Sequence, residues 1–251
     1  MALDSGLEGR TCLITGAASG IGLASARILA AEGAKLALWD LDSDALEGAD
    51  LDDGGAAAVS RSAVDVADPE AVKAGVAALI AEHGGLDALI HCAGVYTTAP
   101  VPEVGSEDWN RVLDVNLKGA FNVCQAAAEP MREHGDGRMV LFGSFAARTG
   151  GLRASAPYAA SKGGIAGLTK HMAQWGGPLG IRVNCIHPGF IQTPMNAILS
   201  DEAKQQARDN TPLRRLADPP ECAAMAVVLA SDLASFVHGV ELDVNGGMYM
   251  A

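Results

Sequence analysis

The feature that most constrains the fold is the alternation of short apolar runs with longer stretches of helical spacing along the chain. Runs such as Thr11–Thr15 and Arg138–Phe142 are apolar almost throughout instead of alternating with polar residues. This composition is typical of strands that are buried on both faces of a parallel sheet. Helical stretches between them, such as Tyr158–Trp175, supply the crossovers that parallel strands require. The pattern predicts one α/β domain over residues 1–251, built on a doubly wound parallel sheet.

The predicted elements follow this alternation to the end of the chain. Asp68 followed by Pro69 predicts a helix start, with an N-cap and a proline in the first turn. The predicted strands are Thr11–Thr15, Lys35–Asp40, Ala57–Val64, Ala88–His91, Arg138–Phe142, Arg182–His187 and Val240–Val244. The predicted helices are Ile21–Glu32, Pro69–His83, Trp109–Met131 as one element or two with Pro130 weakening its end, Tyr158–Trp175 and Glu221–Ala230. The polar stretch that follows the sixth strand has no clear pattern, and a substrate lid is expected at about 190–217.

Composition excludes several classes of partner. Acidic residues outnumber basic ones by 30 to 18, which gives a formal net charge of -12. A chain this negative is repelled by phosphate backbones and anionic membranes, so neither nucleic acid nor membrane is expected as a partner. The five cysteines are scattered without a CxxC pair, which is typical of free thiols in a reducing compartment. With no apolar run of about 18 residues and no signal-peptide pattern, we expect a cytoplasmic protein.

A glycine-rich turn joins the first predicted strand to the first predicted helix. It reads TGAASGIG over Thr15–Gly22. Gly16 permits a tight exit from the strand, and Gly20 and Gly22 allow the backbone to approach a pyrophosphate closely. The N–H groups and partial positive charge at the helix N-terminus favour the same anionic group. Between a strand and a helix, such a turn predicts a dinucleotide site and a Rossmann-type fold.

Asp40 ends the second predicted strand, where the adenosine ribose of a dinucleotide would lie. A carboxylate there accepts hydrogen bonds from the ribose hydroxyls and repels a 2′-phosphate. Its neighbours Trp39 and Leu41 are not basic, and Ser19 stands where a lysine or arginine could meet that phosphate. These residues predict NAD(H) in preference to NADP(H). Asp42 is an alternative carboxylate for the same role.

Two further strand ends carry residues that suit the adenosine half of the cofactor. Asp65 and Val66 follow the third strand and can bind the adenine edge through a carboxylate and a backbone N–H. Cys92, Ala93 and Gly94 follow the fourth strand, where small residues allow a ribose to lie against the backbone.

A tyrosine and a lysine stand four residues apart on a predicted helix. Tyr158 and Lys162 therefore share one helix face. A free tyrosine has a pKa near ~10, and a neighbouring cation is expected to lower it toward a value useful in proton transfer. Ser144 lies just beyond the fifth strand, at the sheet edge where ligands bind. Its hydroxyl can hold a substrate oxygen beside the tyrosine, which suits alcohol/ketone chemistry.

With the glycine turn, the Tyr158–Lys162 pair and Ser144, the chain resembles the short-chain dehydrogenase/reductase family, in its single-domain NAD(P)(H)-dependent subgroup. The resemblance spans nearly the whole chain. It implies that Ser144, Tyr158 and Lys162 are catalytic. It also implies that Asn116, in the segment DVNLKG, is the catalytic asparagine, which brackets a water in a proton relay.

The resemblance also implies contacts at the nicotinamide end of the cofactor. Pro188, Gly189 and Thr193 match the PGxxxT element of the family, and Ile191 is expected to contribute its backbone. One departure is His91, which stands where the family usually has an asparagine; we expect a ring nitrogen to brace the sheet in its place. No metal is expected, because the six histidines show no HxxxH or HExxH spacing.

The predicted site falls into three groups of residues. The catalytic group is Asn116, Ser144, Tyr158 and Lys162. The cofactor contacts are Gly16, Ser19, Gly20, Ile21, Gly22, Asp40, Asp65, Val66, Cys92, Ala93, Gly94, Tyr158, Lys162, Pro188, Gly189, Ile191 and Thr193. The substrate pocket is predicted to include Ser144, Ala146, Met195, Ile198 and Leu199.

The predicted activity is NAD(H)-dependent interconversion of a secondary alcohol and a ketone, with Tyr158 as acid and base. The apolar residues Met195, Ile198 and Leu199 favour a medium-sized, largely uncharged substrate, although the same spacing suits ordinary helix packing. Arg148 and Arg153 lie near the site in sequence, where they could meet an anionic substrate, but we expect them instead to be solvated loop charges.

Three other functions stay open at this point. A 3-oxoacyl thioester reductase of the same family would usually favour NADPH and need a basic face for an acidic carrier, which the charge and Asp40 disfavour. A sugar or polyol dehydrogenase fits the same residues. A non-catalytic dinucleotide-sensing scaffold is disfavoured by the complete set of catalytic residues. The resemblance implies a homotetramer or homodimer.

Overall fold

The computed structural model describes residues 4–51, 54–151, 153–197 and 199–250. Seven strands form one parallel sheet in the spatial order β3-β2-β1-β4-β5-β6-β7. They are Thr11–Thr15 (β1), Lys35–Asp40 (β2), Ala58–Ala63 (β3), Ala88–His91 (β4), Gly137–Phe142 (β5), Ile181–Pro188 (β6) and Glu241–Val244 (β7). The strand order reverses between β1 and β4. Such a switch point opens a crevice at the carboxyl edge of a doubly wound sheet, and the predicted fold class is confirmed.

Helices cover both faces of this sheet. They are Gly20–Ala31 (α1), Ser43–Glu47 (α2), Pro69–His83 (α3), Ser106–Leu113 (α4), Gly119–His134 (α5), Ala146–Thr149 (α6), Ala156–Gly176 (α7), Asp201–Asn210 (α8) and Pro219–Ala230 (α9). The predicted start of α3 is confirmed, because the Asp68 carboxylate accepts from the backbone N–H groups of Glu70 and Ala71 at 2.9 and 3.3 Å. The left-handed Gly84 ends that helix.

Two apolar layers hold the helices to the sheet. Strand residues alternate between them, so that Leu13 packs into one layer and Ile14 into the other. The first layer joins α3, α5 and α7 to the sheet, and the second joins α1 and α9. Since both faces of the central strands are buried, their apolar composition follows directly from the architecture.

The long helical stretch predicted at Trp109–Met131 is divided, and its end differs from the prediction. A π-helical turn at Asp114–Lys118 separates α4 from α5. Pro130 does not end the second helix, which continues to His134, because Met131 and its neighbours pack against the sheet and outweigh the lost backbone hydrogen bond. No helix in the described part of the chain is long and apolar enough to cross a membrane.

Candidate active site

One large cavity of about 1010 Å³ lies at the carboxyl edge of the sheet. It extends from the turn after β1, across the ends of β4, β5 and β6, to the face of α8. All of the predicted cofactor-binding residues line this cavity. The architecture therefore brings together residues that are as far apart in sequence as Gly16 and Thr193.

The glycine turn leaves little room for side chains at Gly16 and Gly20. A Cβ on Gly16 would lie 2.9 Å from the backbone nitrogen of Ala93, and one on Gly20 would lie 3.1 Å from the Thr193 side chain. Both glycines adopt positive φ angles, of 65° and 55°, which glycine alone adopts at no steric cost. The first turn of α1 has no acidic residue and no side-chain cap, and it opens onto the cavity. This cradle fits the pyrophosphate of a dinucleotide.

Gly22→Ala should disturb the cradle most directly. A Cβ at this position would fall far inside contact distance of the Gly16 carbonyl oxygen, and such overpacking costs about 1–3 kcal/mol. We expect Tm to fall by about 3–10 °C and the affinity for NADH to fall with it. Gly167→Ala is the matched control, because nothing lies within 4 Å of its Cβ position and alanine favours a helix. Equal Tm values for the two variants would contradict the close approach.

Asp40 is held at the adenosine end of the cavity. One carboxylate oxygen accepts from Ala18 N–H at 3.0 Å, and the other accepts from Asp42 N–H at 3.3 Å. These bonds fix the carboxylate between the glycine turn and the next loop, with its remaining lone pairs available to a ligand. The competing Asp42 is engaged elsewhere, since its carboxylate caps α2 through Ala45 N–H at 2.9 Å.

The residues after β3 and β4 complete the adenosine end. Asp65 lines the cavity, while one of its carboxylate oxygens accepts from Ala67 N–H at 2.9 Å. His91 is buried, and its Nδ1 lies 2.9 Å from Thr15 Oγ1, which also accepts from Ala93 N–H at 3.2 Å. His91 thus braces β1 against β4 through a ring nitrogen, as expected from its place in the sequence.

Tyr158 and Ser144 meet at the other end of the cavity. Both are buried and line the cavity. Burial raises the pKa of Tyr158 to about 12, although the nearby Ser144 side chain lowers it. The Tyr96 ring packs edge-on against the Tyr158 ring at 4.9 Å and shields one side of it from water. The phenol is therefore a proton donor in this state.

Lys162 lies under Tyr158 on the same face of α7. Its Nζ is 5.9 Å from the centre of the tyrosine ring and donates to the Phe142 carbonyl at 2.8 Å. Burial lowers the pKa of Lys162 to about 8. The expectation that the tyrosine pKa is lowered is wrong, because desolvation of the phenol is the largest influence on it and raises it.

Lys162→Met should change how stability depends on pH. Between about pH 8 and 10.5 the unfolded chain keeps the lysine proton while the folded chain has released it. Wild-type stability therefore rises with pH across that window, by on the order of 3 kcal/mol. We expect urea denaturation to show that the free energy of unfolding of the wild type increases relative to that of the Met variant as pH rises from 8 to 10.5. Lys73→Met, at an exposed lysine, should show no such change. If the free energy of unfolding differed between wild type and Lys162→Met by the same amount at every pH, the lowered pKa of Lys162 would be contradicted.

Asn116 lies in the π-helical turn between α4 and α5, which widens the backbone and directs the buried side chain inward. Its amide donates to the Val95 carbonyl at 2.9 Å and to Ser161 Oγ at 3.1 Å, and its oxygen accepts from Val95 N–H at 2.7 Å. Both amide donors are occupied. In this state the side chain positions the loop after β4 against α7.

The predicted substrate residues are only partly brought together. Ser144, Ala146 and Met195 line the cavity, Leu199 is not among its walls, and Ile198 lies outside the described residues. Phe145 and Asn196, which are adjacent in sequence to the predicted Ser144 and Met195, line the cavity as well. Side chains that sequence reasoning missed also line it: Tyr96, Phe190, Gln206 and Asn210. The i,i+4 spacing of Gln206 and Asn210 on α8 is a signal that could have found two of them.

The two arginines near the site have different roles. Arg148 is not a solvated loop charge, since it pairs with Glu241 at 2.6 Å and with Asp243 at 3.3 Å and is largely buried. Arg153 is exposed and lines the cavity, where it contacts Gln206. Among the described residues that line the cavity, Lys162 and Arg153 are the two cations, and both lie away from Asp40.

Comparison with known proteins gives consistent matches over the whole chain. A family model described as enoyl-(acyl carrier protein) reductase matches residues 16–249. The chain is 41% identical over 247 residues to D-threitol dehydrogenase of Mycolicibacterium smegmatis, covering 97% of this chain and 94% of the relative. It is 37% identical over 251 residues to a 3-oxoacyl-(acyl-carrier-protein) reductase of Chlamydia muridarum, covering 98% and 100%.

The fold has equally similar solved counterparts. The crystal structure of a short-chain dehydrogenase/reductase from Brucella melitensis, described as a glucose/ribitol dehydrogenase, superposes with a TM-score of 0.93 at 35% identity. The match covers 99% of this chain and 100% of that chain.

Proposed function

Because the chain belongs to the short-chain dehydrogenase/reductase family of oxidoreductases, we propose that it interconverts a secondary alcohol and a ketone with NAD(H). The observation that carries the proposal is a single cavity with two differentiated ends. One end has the glycine cradle and Asp40, and the other has Ser144, Tyr158 and Lys162. A ligand that spans the cavity would reach both.

In the proposed mechanism the protein supplies position and a proton. NAD(H), when bound, supplies the hydride acceptor or donor. The Ser144 and Tyr158 hydroxyls hold the substrate oxygen between them, and the phenol gives its proton to that oxygen in the reductive direction. Lys162, with its buried Nζ below the tyrosine ring, stabilises the phenolate that results. Asn116 keeps the loop after β4 and helix α7 in register, so the distances between these groups are maintained.

The proposed preference for NAD(H) follows from charge at the adenosine end. Asp40, Asp42 and Asp65 line this part of the cavity. A 2′-phosphate placed among them would meet carboxylates, whereas the two cations of the described cavity walls, Lys162 and Arg153, lie away from Asp40. Ribose hydroxyls, in contrast, are donors that suit a carboxylate fixed in position.

We propose a small, uncharged alcohol with several hydroxyl groups as the substrate. Asn196, Gln206 and Asn210 are polar residues that line the cavity. The Arg153 guanidinium donates to the Gln206 amide oxygen, and the Asn196 amide donates to the Ile191 carbonyl at 2.8 Å. Polar groups that a bound substrate would cover need hydrogen-bond partners, and hydroxyls both donate and accept. The similarity to a D-threitol dehydrogenase supports the same substrate class.

A turnover assay tests the activity and the substrate class together. The purified protein is given NAD or NADP with C4–C6 polyols, simple secondary alcohols and a hydroxysteroid, and in the reverse direction acetoacetyl-coenzyme A with NADH or NADPH. We expect polyol-dependent formation of NADH, with simple alcohols and the thioester far slower. A marked preference for the thioester with NADPH would replace the proposal by 3-oxoacyl thioester reduction. Dinucleotide binding without any turnover would favour a sensing scaffold.

Self-association through α4, α5 and α7 is also proposed. Trp109, Phe121 and Trp175 on these helices are 39–44% exposed, and Phe121 borders a shallow apolar depression with Leu117 and Leu168. Helices α4 and α5 both pack against α7, and exposed aromatic side chains are enriched at protein interfaces. A monomer mass in solution scattering would contradict this proposal, and a dimer or tetramer mass would support it.

A further inference from the structure

His187, near the end of β6, contacts the backbone of a catalytic residue. Its side chain is fully buried, and Nδ1 lies 3.1 Å from Ser144 N and 3.0 Å from Ser144 O. A Cβ on Gly143 would collide with the ring, so the imidazole packs directly on the chain that leads to Ser144. The amides on either side, of Gly143 and Phe145, bond to β6 carbonyls at 2.8 and 2.9 Å. The Ser144 N–H is thus held by a side chain where its neighbours are held by backbone.

Glu241 contacts the other ring nitrogen of His187 and determines whether that nitrogen donates or accepts a hydrogen bond. One carboxylate oxygen lies 3.1 Å from His187 Nε2, and the carboxylate is also paired with Arg148 at 2.6 Å and Lys170 at 2.5 Å. Burial alone would raise the pKa of Glu241, but the bond from Lys170 and the charge of Arg148 hold it below its usual range. The group is therefore a carboxylate at neutral pH and can only accept hydrogen bonds.

The carboxylate selects one tautomer of His187. Burial lowers the pKa of His187, so the ring is neutral and carries one proton. With that proton on Nε2, the ring donates to Glu241, and Nδ1 accepts from the Ser144 N–H. With the proton on Nδ1, the ring would bond to the Ser144 carbonyl, but the Nε2 lone pair would face a carboxylate oxygen at 3.1 Å. The first arrangement satisfies the contacts with Ser144 N–H and with Glu241 and opposes Nδ1 to the Ser144 carbonyl at 3.0 Å. The second satisfies only the carbonyl, and it opposes two donors at Nδ1 and two acceptors at Nε2. The first tautomer is therefore favoured.

We propose that His187 is a positioning residue for Ser144, and that Glu241 holds it in the tautomer protonated on Nε2. The hydroxyl of Ser144 is not activated by the imidazole, which touches the backbone only. Its place beside Tyr158 depends on where that backbone lies. The consequence for turnover rests on the proposed function, whereas the tautomer and the backbone bond do not.

The first test is spectroscopic and needs no substrate. In protein labelled with ¹⁵N-histidine, the ring nitrogens of His187 should report a protonated Nε2 and an unprotonated Nδ1. In Glu241→Gln the tautomer protonated on Nδ1 should become populated, because an amide can face either form of Nε2. Asp243→Asn is the control, since Asp243 pairs with Arg148 and makes no hydrogen bond to the ring. A wild-type ring protonated on Nδ1, or unchanged spectra in Glu241→Gln, would overturn the role of Glu241.

The second test compares His187→Asn with His187→Leu. An asparagine oxygen can take the place of Nδ1 and accept from Ser144 N–H, whereas leucine fills similar space without an acceptor. We expect kcat to fall about tenfold in the Leu variant, with the NADH dissociation constant within about twofold of wild type, and the Asn variant to recover most of the loss. Equal losses in both variants, or equal changes in kcat and NADH affinity, would indicate a purely structural role and overturn the proposal.

Hydrogen exchange separates this inference from the proposed function. The Ser144 amide should be protected in the wild type and the Asn variant and exchange faster in the Leu variant. If the wild type oxidises no alcohol, the proposed function fails, and the exchange rates and ring spectra still decide the inference. Equal protection of the Ser144 amide in all three proteins would refute it.

Discussion

Tyr158→Phe is expected to reduce alcohol-dependent formation of NADH by roughly 10³-fold or more, because the variant has no group that can take the substrate proton. The loss should fall on kcat, and NADH affinity should stay within a few fold, since phenylalanine keeps the ring that packs against Tyr96. Steady-state kinetics and fluorescence titration with NADH measure the two quantities. Folding should be retained, because phenylalanine keeps the packed ring and removes only a hydroxyl from a residue that lines the cavity.

Tyr249→Phe is the matched control for this substitution. Its ring lies 5.6 Å from the Arg148 guanidinium, and the residue is not among the described walls of the cavity. Removal of its hydroxyl should leave kcat nearly unchanged. Substantial residual turnover in Tyr158→Phe would show that another group transfers the proton, and the assignment of acid and base would have to be withdrawn.

Asp40→Asn is expected to lower the ratio of kcat/KM for NAD to that for NADP by about 10- to 100-fold. The asparagine keeps an oxygen for Ala18 N–H, which the carboxylate binds at 3.0 Å, so the loop should keep its shape. The variant lacks the negative charge of the carboxylate. That charge repels a 2′-phosphate, and it also makes the hydrogen bonds from the ribose hydroxyls stronger than those to a neutral amide. Kinetics with both cofactors at a fixed alcohol concentration measure the ratio.

Asp42→Asn is the control that shows whether cofactor preference depends on the position of the Asp40 carboxylate or on any negative charge at this end of the cavity. Asp42 lines the same end of the cavity, but its carboxylate caps α2, a bond that asparagine can also accept. The ratio should change by no more than a few fold. A wild type that prefers NADPH would remove the basis of the cofactor proposal, and a larger effect at Asp42 than at Asp40 would transfer the ribose role to Asp42.

Strand and helix positions were largely predictable because they depend on neighbours in sequence. The apolar run Ala88–His91 coincides with β4, and the Asp68-Pro69 start and Gly84 end of α3 follow from local capping chemistry. Where prediction was wrong, tertiary packing had overridden local preference. Pro130 would weaken an isolated helix, but α5 continues past it because its apolar face is buried against the sheet.

The electrostatics of the site could not be predicted in the same way. The four-residue spacing placed Tyr158 and Lys162 on one helix face, yet spacing says nothing about how much water reaches them. Burial from α4, α5 and the ends of the strands decides that both are desolvated, which raises the pKa of the phenol and lowers that of the ammonium. Desolvation depends on the whole surrounding structure and has no local signature in the chain.

By itself the sequence determined the doubly wound sheet, the glycine cradle and the spacing of Tyr158 and Lys162, since each of these arises from patterns within a few residues. Only the tertiary structure decided that Gln206 and Asn210 face the substrate end, and that His187 and Glu241 stand behind Ser144. The contacts of His187 with Ser144 and with Glu241 join residues 43 and 54 positions apart, and the contact of Gln206 with Arg153 joins residues 53 apart. They exist because parallel strands end at a common edge of the sheet. The strand order decides which strand ends are neighbours, and no local sequence pattern encodes that order.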